Sequence, residues 1–165
     1  MAPADDDETL EARPPRLTDL ISLCRDLNAE GARYVVIGGM AVIQAGFPRA
    51  TADIDLLVDV DVENQERVRR ALMKLPDRAV RDMAAGDLER YAVVRVADEI
   101  VVDLMKAACG IAYEEACREI DVVELGGVSI PFARPELLFR MKDTVREKDK
   151  LDRSFLSALI RPERR

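Results

Sequence analysis

The sequence predicts an α+β or α/β layer protein, in which helices pack on a sheet. Three observations carry that prediction. Segments with helical apolar spacing alternate with short β-rich runs along the chain. Two pairs of β-rich runs are split by short turns, Asp98-Glu99 and Gly126-Gly127, in the manner of hairpins. No internal repeat and no long linker breaks the order, and 165 residues suit one domain with a real core.

Residues 1–16 are rich in Asp, Glu, Pro and Ala without apolar periodicity, and read as a disordered tail before a single domain over 17–165. Leu17, Leu20, Ile21, Cys24 and Leu27 then recur at helical spacing, in a helix that ends at Gly31. Residues 34–37 form a short apolar strand. Gly38-Gly39 follows, then a short helix over 40–45 and a loop at Gly46-Phe47-Pro48. Residues 54–58 are a second strand, closed by 59–61, and 62–75 have helical spacing up to Pro76. Residues 78–86 show no clear pattern. Residues 91–97 and 100–105 pair as a hairpin, 111–118 read as a helix, and 122–125 and 128–132 as a second hairpin. Pro135 opens a helix that carries Leu137, Leu138, Met141 and Val145. After a charged stretch, Leu151, Phe155, Leu156 and Leu159 form a last apolar face.

Composition excludes several chemistries. The sequence has no His, so a Ser-His-Asp triad, a His-ligated zinc and an imidazole base are ruled out. A net charge of −7 argues against coating nucleic acid through a broad basic face, though not against touching one end of an RNA. Cys24, Cys109 and Cys117 are odd in number and widely spaced, which fits small core residues in a reducing compartment. No apolar run approaches the ~20 residues that span a bilayer, and the acidic N-terminus lacks a signal peptide's apolar stretch. The protein therefore reads as cytoplasmic, with no membrane partner.

The chemistry concentrates in two segments. In Arg49-Ala50-Thr51-Ala52-Asp53-Ile54-Asp55, side chains two apart on a strand share a face, so Asp53 and Asp55 point one way while Ile54 and Leu56 enter the core. Adjacent carboxylates repel unless a cation sits between them, and such an oxygen pair suits Mg²⁺ with substrate phosphates. Gly38-Gly39, between a strand and a helix, lets the backbone approach a phosphate and presents free N–H groups to it. Asp103 is a lone carboxylate inside an apolar run and is costly to bury unpaired. A strand beside Asp53 and Asp55 would let it complete a cluster for two metals about 4 Å apart.

These residues, in this order, resemble the DNA polymerase beta-type nucleotidyltransferase superfamily. Its signature is a Gly-Gly or Gly-Ser turn, an Asp-x-Asp strand and a later Asp on a neighbouring strand. The nearer similarity is to the branch of abortive-infection type IV toxins (AbiEii-like) and related small bacterial nucleotidyltransferases. In that branch Gly-Gly, a later Arg-x-Thr-x-Asp-x-Asp and a Lys-rich C-terminal helix recur, here Gly38-Gly39, Arg49 to Asp55, and the charged stretch 142–152. The likeness spans roughly residues 33–160. It implies a nucleotidyltransferase fold of the α+β class, a mixed β-sheet flanked by helices. It also implies an enzyme that binds a nucleoside triphosphate with Mg²⁺, or Mn²⁺, and transfers a nucleotidyl group to a hydroxyl.

By that resemblance Asp53 and Asp55 hold both metals, while Asp103 holds the catalytic one and helps deprotonate the acceptor. Gly38, Gly39, Arg49, Thr51, Lys142 and Lys148 form the nucleotide-binding set. The acceptor stays open between a tRNA end, a protein hydroxyl and a small molecule. Many members carry a large C-terminal helical domain that is not expected in these residues, which leaves the acceptor surface unassigned. The alternative is a nucleotide-binding module with little or no turnover, one half of a toxin–antitoxin pair, working with a protein partner or as a homo-oligomer.

Plainer roles compete at individual positions. Arg49 binds phosphate or solvates a loop; Thr51 orients a ligating Asp or is an ordinary β-branched residue. Asp59 and Asp61 fit turn and N-cap roles. Arg95 fits a solvent-facing sheet position. The run 146–152 fits a solvated helix face with pairs such as Glu147 and Lys150.

Overall fold

The structure is a computed structural model and describes residues 11–160. Most of the expected 1–16 tail lies outside the described residues. Residues 11–16 form no regular element, yet Arg13 is attached to the body. Its N–H donates to the Glu99 carbonyl at 3.0 Å, and its guanidinium pairs with Asp19 at 2.7 Å.

The chain order is α1 (Leu17–Ala29), β1 (Tyr34–Ile37), α2 (Gly38–Gln44), β2 (Asp53–Val58), α3 (Val62–Leu72), a 3-10 turn (Ala79–Asp82), α4 (Asp87–Arg90), β3 (Val93–Ala97) and β4 (Val101–Met105). It continues with β5 (Ala107–Ala108), β6 (Ile111–Ala112), α5 (Tyr113–Ala116), β7 (Ile120–Leu125), β8 (Val128–Ala133), α6 (Pro135–Met141) and α7 (Glu147–Ile160). Six strands form one mixed sheet in the order β3-β4-β2-β1-β8-β7, so the expected mixed sheet of an α+β fold is present. The pairs β1/β2, β3/β4 and β7/β8 are antiparallel; β2/β4 and β1/β8 are parallel.

Both expected hairpins form, and the pattern of β2 explains its place at the centre. Ile54, Leu56, Leu57 and Val58 are all buried, so only its first turn of chain can carry exposed chemistry. α1 buries Leu20, Leu23, Cys24 and Leu27 and packs on α3 and β8. The Asp61 side chain caps α3 by accepting from the Asn64 N–H at 2.7 Å, and Asp59 and Asp61 both pair with Arg33 at 2.8 Å. Their expected turn and cap roles are what the fold uses.

Five expectations are corrected. The helix from residue 62 ends at Leu72, short of 75. Residues 111–118 are not one helix: Ile111–Ala112 pairs with β5, and only Tyr113–Ala116 is helical. The helix from Pro135 stops at Met141, so Val145 is 89% exposed in the α6–α7 connection. On α7 the inward face is Asp149, Asp152 and Leu156; Leu151 is 63% exposed and Leu159 41%. Of the cysteines only Cys24 is a core residue, while Cys109 is exposed at a left-handed φ of 47°. Among the described residues no helix is long and apolar enough to cross a membrane.

Candidate functional site

Register builds the acidic cluster. β2 and β4 run parallel with Asp55 directly beside Asp103, and alternation puts Asp53 on the same face two residues earlier. One carboxylate oxygen from each of the three lies within 4.8 Å of the others. The lone Asp of β4 thus joins the pair on β2.

The cluster lies in a cleft of about 380 Å³. Gly38, Lys142, Arg146 and Lys148 line it, with Arg95 across from Asp103 and Val93, Met105 and Met141 as apolar wall. Burial, ahead of the Asp53 and Asp103 charges, pushes the Asp55 carboxyl up to about 7, against the pull of Lys142 and Lys148. A carboxylate held that high gains most from a bound cation. Among the described residues nothing donates a hydrogen bond to Asp55, so its oxygens are open to a ligand. The donor set is all oxygen, which suits Mg²⁺ or Mn²⁺.

Gly38 is required twice over. Its φ is +68°, in the left-handed region, and a Cβ there would fall 2.0 Å from Asp55 Oδ2. β1 delivers it to this point, since Ile37 pairs with Asp55. Gly39, expected beside Gly38 in the nucleotide-binding set, has an ordinary φ and does not line the cleft. A Cβ on it would meet Thr51 Oγ1 at 2.4 Å and the Arg49 guanidinium at 3.2 Å, so its missing side chain is a packing requirement.

Arg49 and Thr51 also sit away from the acidic cluster, on a separate recess of about 270 Å³ with Met40 and Ile43. Thr51 Oγ1 donates to the Asp53 carbonyl at 3.2 Å and so fixes the entry of β2. Arg49 grips the Asp152 carboxylate through Nε at 2.9 Å and a terminal nitrogen at 2.8 Å.

That grip belongs to a buried network absent from the sequence reading. Asp149 and Asp152 have fully buried side chains. Lys142 lies between them, at 3.3 Å from Asp149 and 3.0 Å from Asp152. Thr144 and Arg146 also donate to Asp149, at 2.5 and 2.8 Å. Burial alone would raise the Asp149 carboxyl, but the hydrogen bonds from Thr144 and Arg146 and the Lys142 charge hold it below its ordinary value. Lys142 therefore reaches the cleft as a member of this network. Lys148 is exposed on the rim and makes no ion pair with a described residue.

Arg95 was expected to face solvent. Its side chain is 60% exposed, yet its guanidinium meets both oxygens of Asp103, at 2.9 and 2.8 Å, and Asp53 at 3.3 Å. Those carboxylates hold the guanidinium firmly charged. It is a cleft residue that the sequence reading assigned to the surface.

A family model described as nucleotidyl transferase of unknown function (DUF2204) matches residues 16–162. No curated protein matches the chain. Among solved structures, the chain is similar to a candidate nucleotidyltransferase from Thermotoga maritima, at 20% identity and a TM-score of 0.53, over 88% of this chain and 90% of that one. It is also similar to an antigenic nucleotidyltransferase-like protein from Paracoccidioides brasiliensis, at 18% identity and a TM-score of 0.52, over 85% and 74% of the two chains. At those identities the structures speak for the fold.

Proposed function

Because the chain belongs to the family of nucleotidyl transferases of unknown function (DUF2204), we propose that it is a metal-dependent nucleotidyltransferase acting on a nucleoside triphosphate and a hydroxyl acceptor. The single observation that carries this reading is the Asp53–Asp55–Asp103 cluster, with oxygens within 4.8 Å, facing a cleft rimmed by Arg146 and Lys148. Asp53 and Asp55 would hold the cations, and Asp103 would share the catalytic one. When bound, Mg²⁺ supplies charge neutralisation for the phosphates and lowers the acidity threshold of the attacking hydroxyl.

The remaining steps fall to the chain. Arg146 and Lys148 hold the phosphates by charge. Gly38, without a side chain, leaves room for them beside Asp55. The acceptor oxygen forms its bond to the α-phosphorus, pyrophosphate leaves, and Asp103 takes the hydroxyl proton, since the sequence offers no imidazole. Gly39, Arg49 and Thr51 support the site indirectly, by fixing the entry of β2.

The test uses calorimetry and labelled substrate. ATP, CTP, GTP and UTP are titrated with and without Mg²⁺, and each labelled triphosphate is incubated with the protein and a cell extract. Binding should require the cation. Asp103→Asn should keep binding and lose transfer by about a hundredfold or more. Cation-dependent binding with no transfer to any component would move the reading to the nucleotide-binding half of a toxin–antitoxin pair.

A further inference from the structure

Arg95 and the carboxylates it touches are not evenly matched. The guanidinium sits on the edge strand β3, directly across from Asp103 in the antiparallel β3/β4 register. Two of its nitrogens take both Asp103 oxygens, in the fork geometry that satisfies a carboxylate most fully. One of the two also reaches Asp53 Oδ2 at 3.3 Å. Asp55, by contrast, receives no hydrogen bond from a described residue. The cluster is thus divided into an open side at Asp55 and a side at Asp103 already taken by a positive charge.

We propose that Arg95 is an internal stand-in for the second cation, which must release Asp103 before that cation can bind. This rests on the metal-site reading above and adds to it an order of filling. The first divalent ion goes to Asp55 and the free oxygen of Asp53. The second competes with the guanidinium for Asp103. The exchange is within easy reach, because the Asp103 side chain is 8% exposed while that of Arg95 is 60% exposed at the end of the sheet. A half-exposed guanidinium can turn to solvent without unpacking anything, and the incoming divalent ion takes over the compensation of Asp103 as it leaves. Once released, it lies at the cleft mouth beside Val93, where a phosphate can receive it. Without a divalent ion, the same residue keeps three crowded carboxylates from repelling one another.

The experiment counts cations directly. Mn²⁺ is titrated into wild type, Arg95→Ala and Arg95→Lys, with free Mn²⁺ followed by electron paramagnetic resonance. In parallel, the Arg95 Nε–H resonance of the wild type, assigned by its loss in Arg95→Lys, is followed on adding Mg²⁺ alone. Wild type should bind one Mn²⁺ tightly and a second weakly. Arg95→Ala should tighten the second by about tenfold or more, with Arg95→Lys between, because the competition is reciprocal. The Nε–H signal should shift and exchange faster as Mg²⁺ fills the second site. Equal Mn²⁺ affinities with an unmoved Nε–H signal would overturn the stand-in role and leave the metal site intact. Weaker Mn²⁺ binding by Arg95→Ala would also overturn it. No Mn²⁺ binding by wild type or variant would overturn the metal-site reading and this inference together. Should Arg95→Ala fail to fold, the wild-type resonance alone decides.

Discussion

Two groups of inward-facing carboxylates lie beside one another in this protein, and they are compensated in opposite ways. Asp149 and Asp152 are fully buried and matched by Arg49, Lys142, Thr144 and Arg146. Asp53, Asp55 and Asp103 are less buried, yet Arg95 is the sole described residue bonded to any of their side-chain oxygens. A satisfied buried network holds structure together; a cluster left short of positive charge is poised for a ligand. The difference also explains why Lys142 and Arg49 sit where they do. Both are used up by the structural network. Arg146 bonds Asp149 through Nε while its exposed guanidinium also lines the cleft, and among the described residues of the cleft Lys148 is the cation without an ion pair.

The largest effect should come from breaking the matched group. Asp152→Ala removes the carboxylate shared by Arg49 and Lys142, leaving Arg49 without its ion-pair partner and Lys142, only 6% exposed, with Asp149 alone. Breaking a buried pair in this way costs about 3–5 kcal/mol. Urea denaturation at pH 7 measures it. A loss under about 1 kcal/mol would show that the network does not hold the α6–α7 corner in place.

The second effect concerns pH and sharpens the contrast. Asp55 titrates near 7 in the folded protein, above the ordinary carboxylate value of an unfolded chain. The folded state therefore binds that proton more tightly. Its contribution is fully present below about pH 4 and is lost as pH rises through about 7, by up to about 4 kcal/mol. Asp149 has the opposite sign. Its folded carboxyl is held low, so its contribution is present at neutral pH and is lost only as strong acid protonates it. Thermal melts in EDTA should show the melting temperature of wild type falling between pH 5 and 8, with a flatter profile for Asp55→Asn. Added Mg²⁺ should restore stability at pH 8. Equal slopes in wild type and Asp55→Asn would break the comparison.

What was legible in the sequence follows the same division. Asp53, Asp55 and Asp103 could be found because a period of two fixes which strand residues share a face, and because an isolated Asp in an apolar run demands a reason. Arg95 was missed through the turn. A two-residue loop at Asp98-Glu99 would pair Ala97 with Ile100 and set Arg95 opposite Val102. The loop instead has three residues, Ala97 pairs with Val101, and Arg95 meets Asp103. A slip of one residue moves every side chain of a strand to another partner and face. The buried Asp98 carboxylate sets that loop, accepting from the N–H groups of Asp77, Ala79 and Glu99, and two of these lie far upstream. The α7 face was misread for a related reason. Its apolar residues suggested Leu151 and Leu159 as inward, but Asp149 and Asp152 take that side because Arg49 and Lys142 wait there. Partners more than a hundred residues away, as Arg49 is from Asp152, leave no trace in local periodicity.

The smallest effect should come from Lys148, and it separates charge from packing. Lys148 is exposed and makes no ion pair with a described residue, so Lys148→Ala should change stability at pH 5 by no more than about 0.5 kcal/mol. Its charge nonetheless helps pull the Asp55 carboxyl down. Removing it should let burial and the two neighbouring aspartates push that group higher. In EDTA the pH midpoint of the stability loss should then move upward from about 7, with the low-pH plateau unchanged. Lys142→Ala cannot make this distinction, because it also strips Asp149 and Asp152 of a partner and should lower stability at every pH where they are ionised. Matched thermal melts of wild type and Lys148→Ala across pH 5 to 9 measure the shift. An unmoved midpoint would mean that the rim lysine is too well solvated to act on Asp55, leaving Lys142 as the cation that sets its charge.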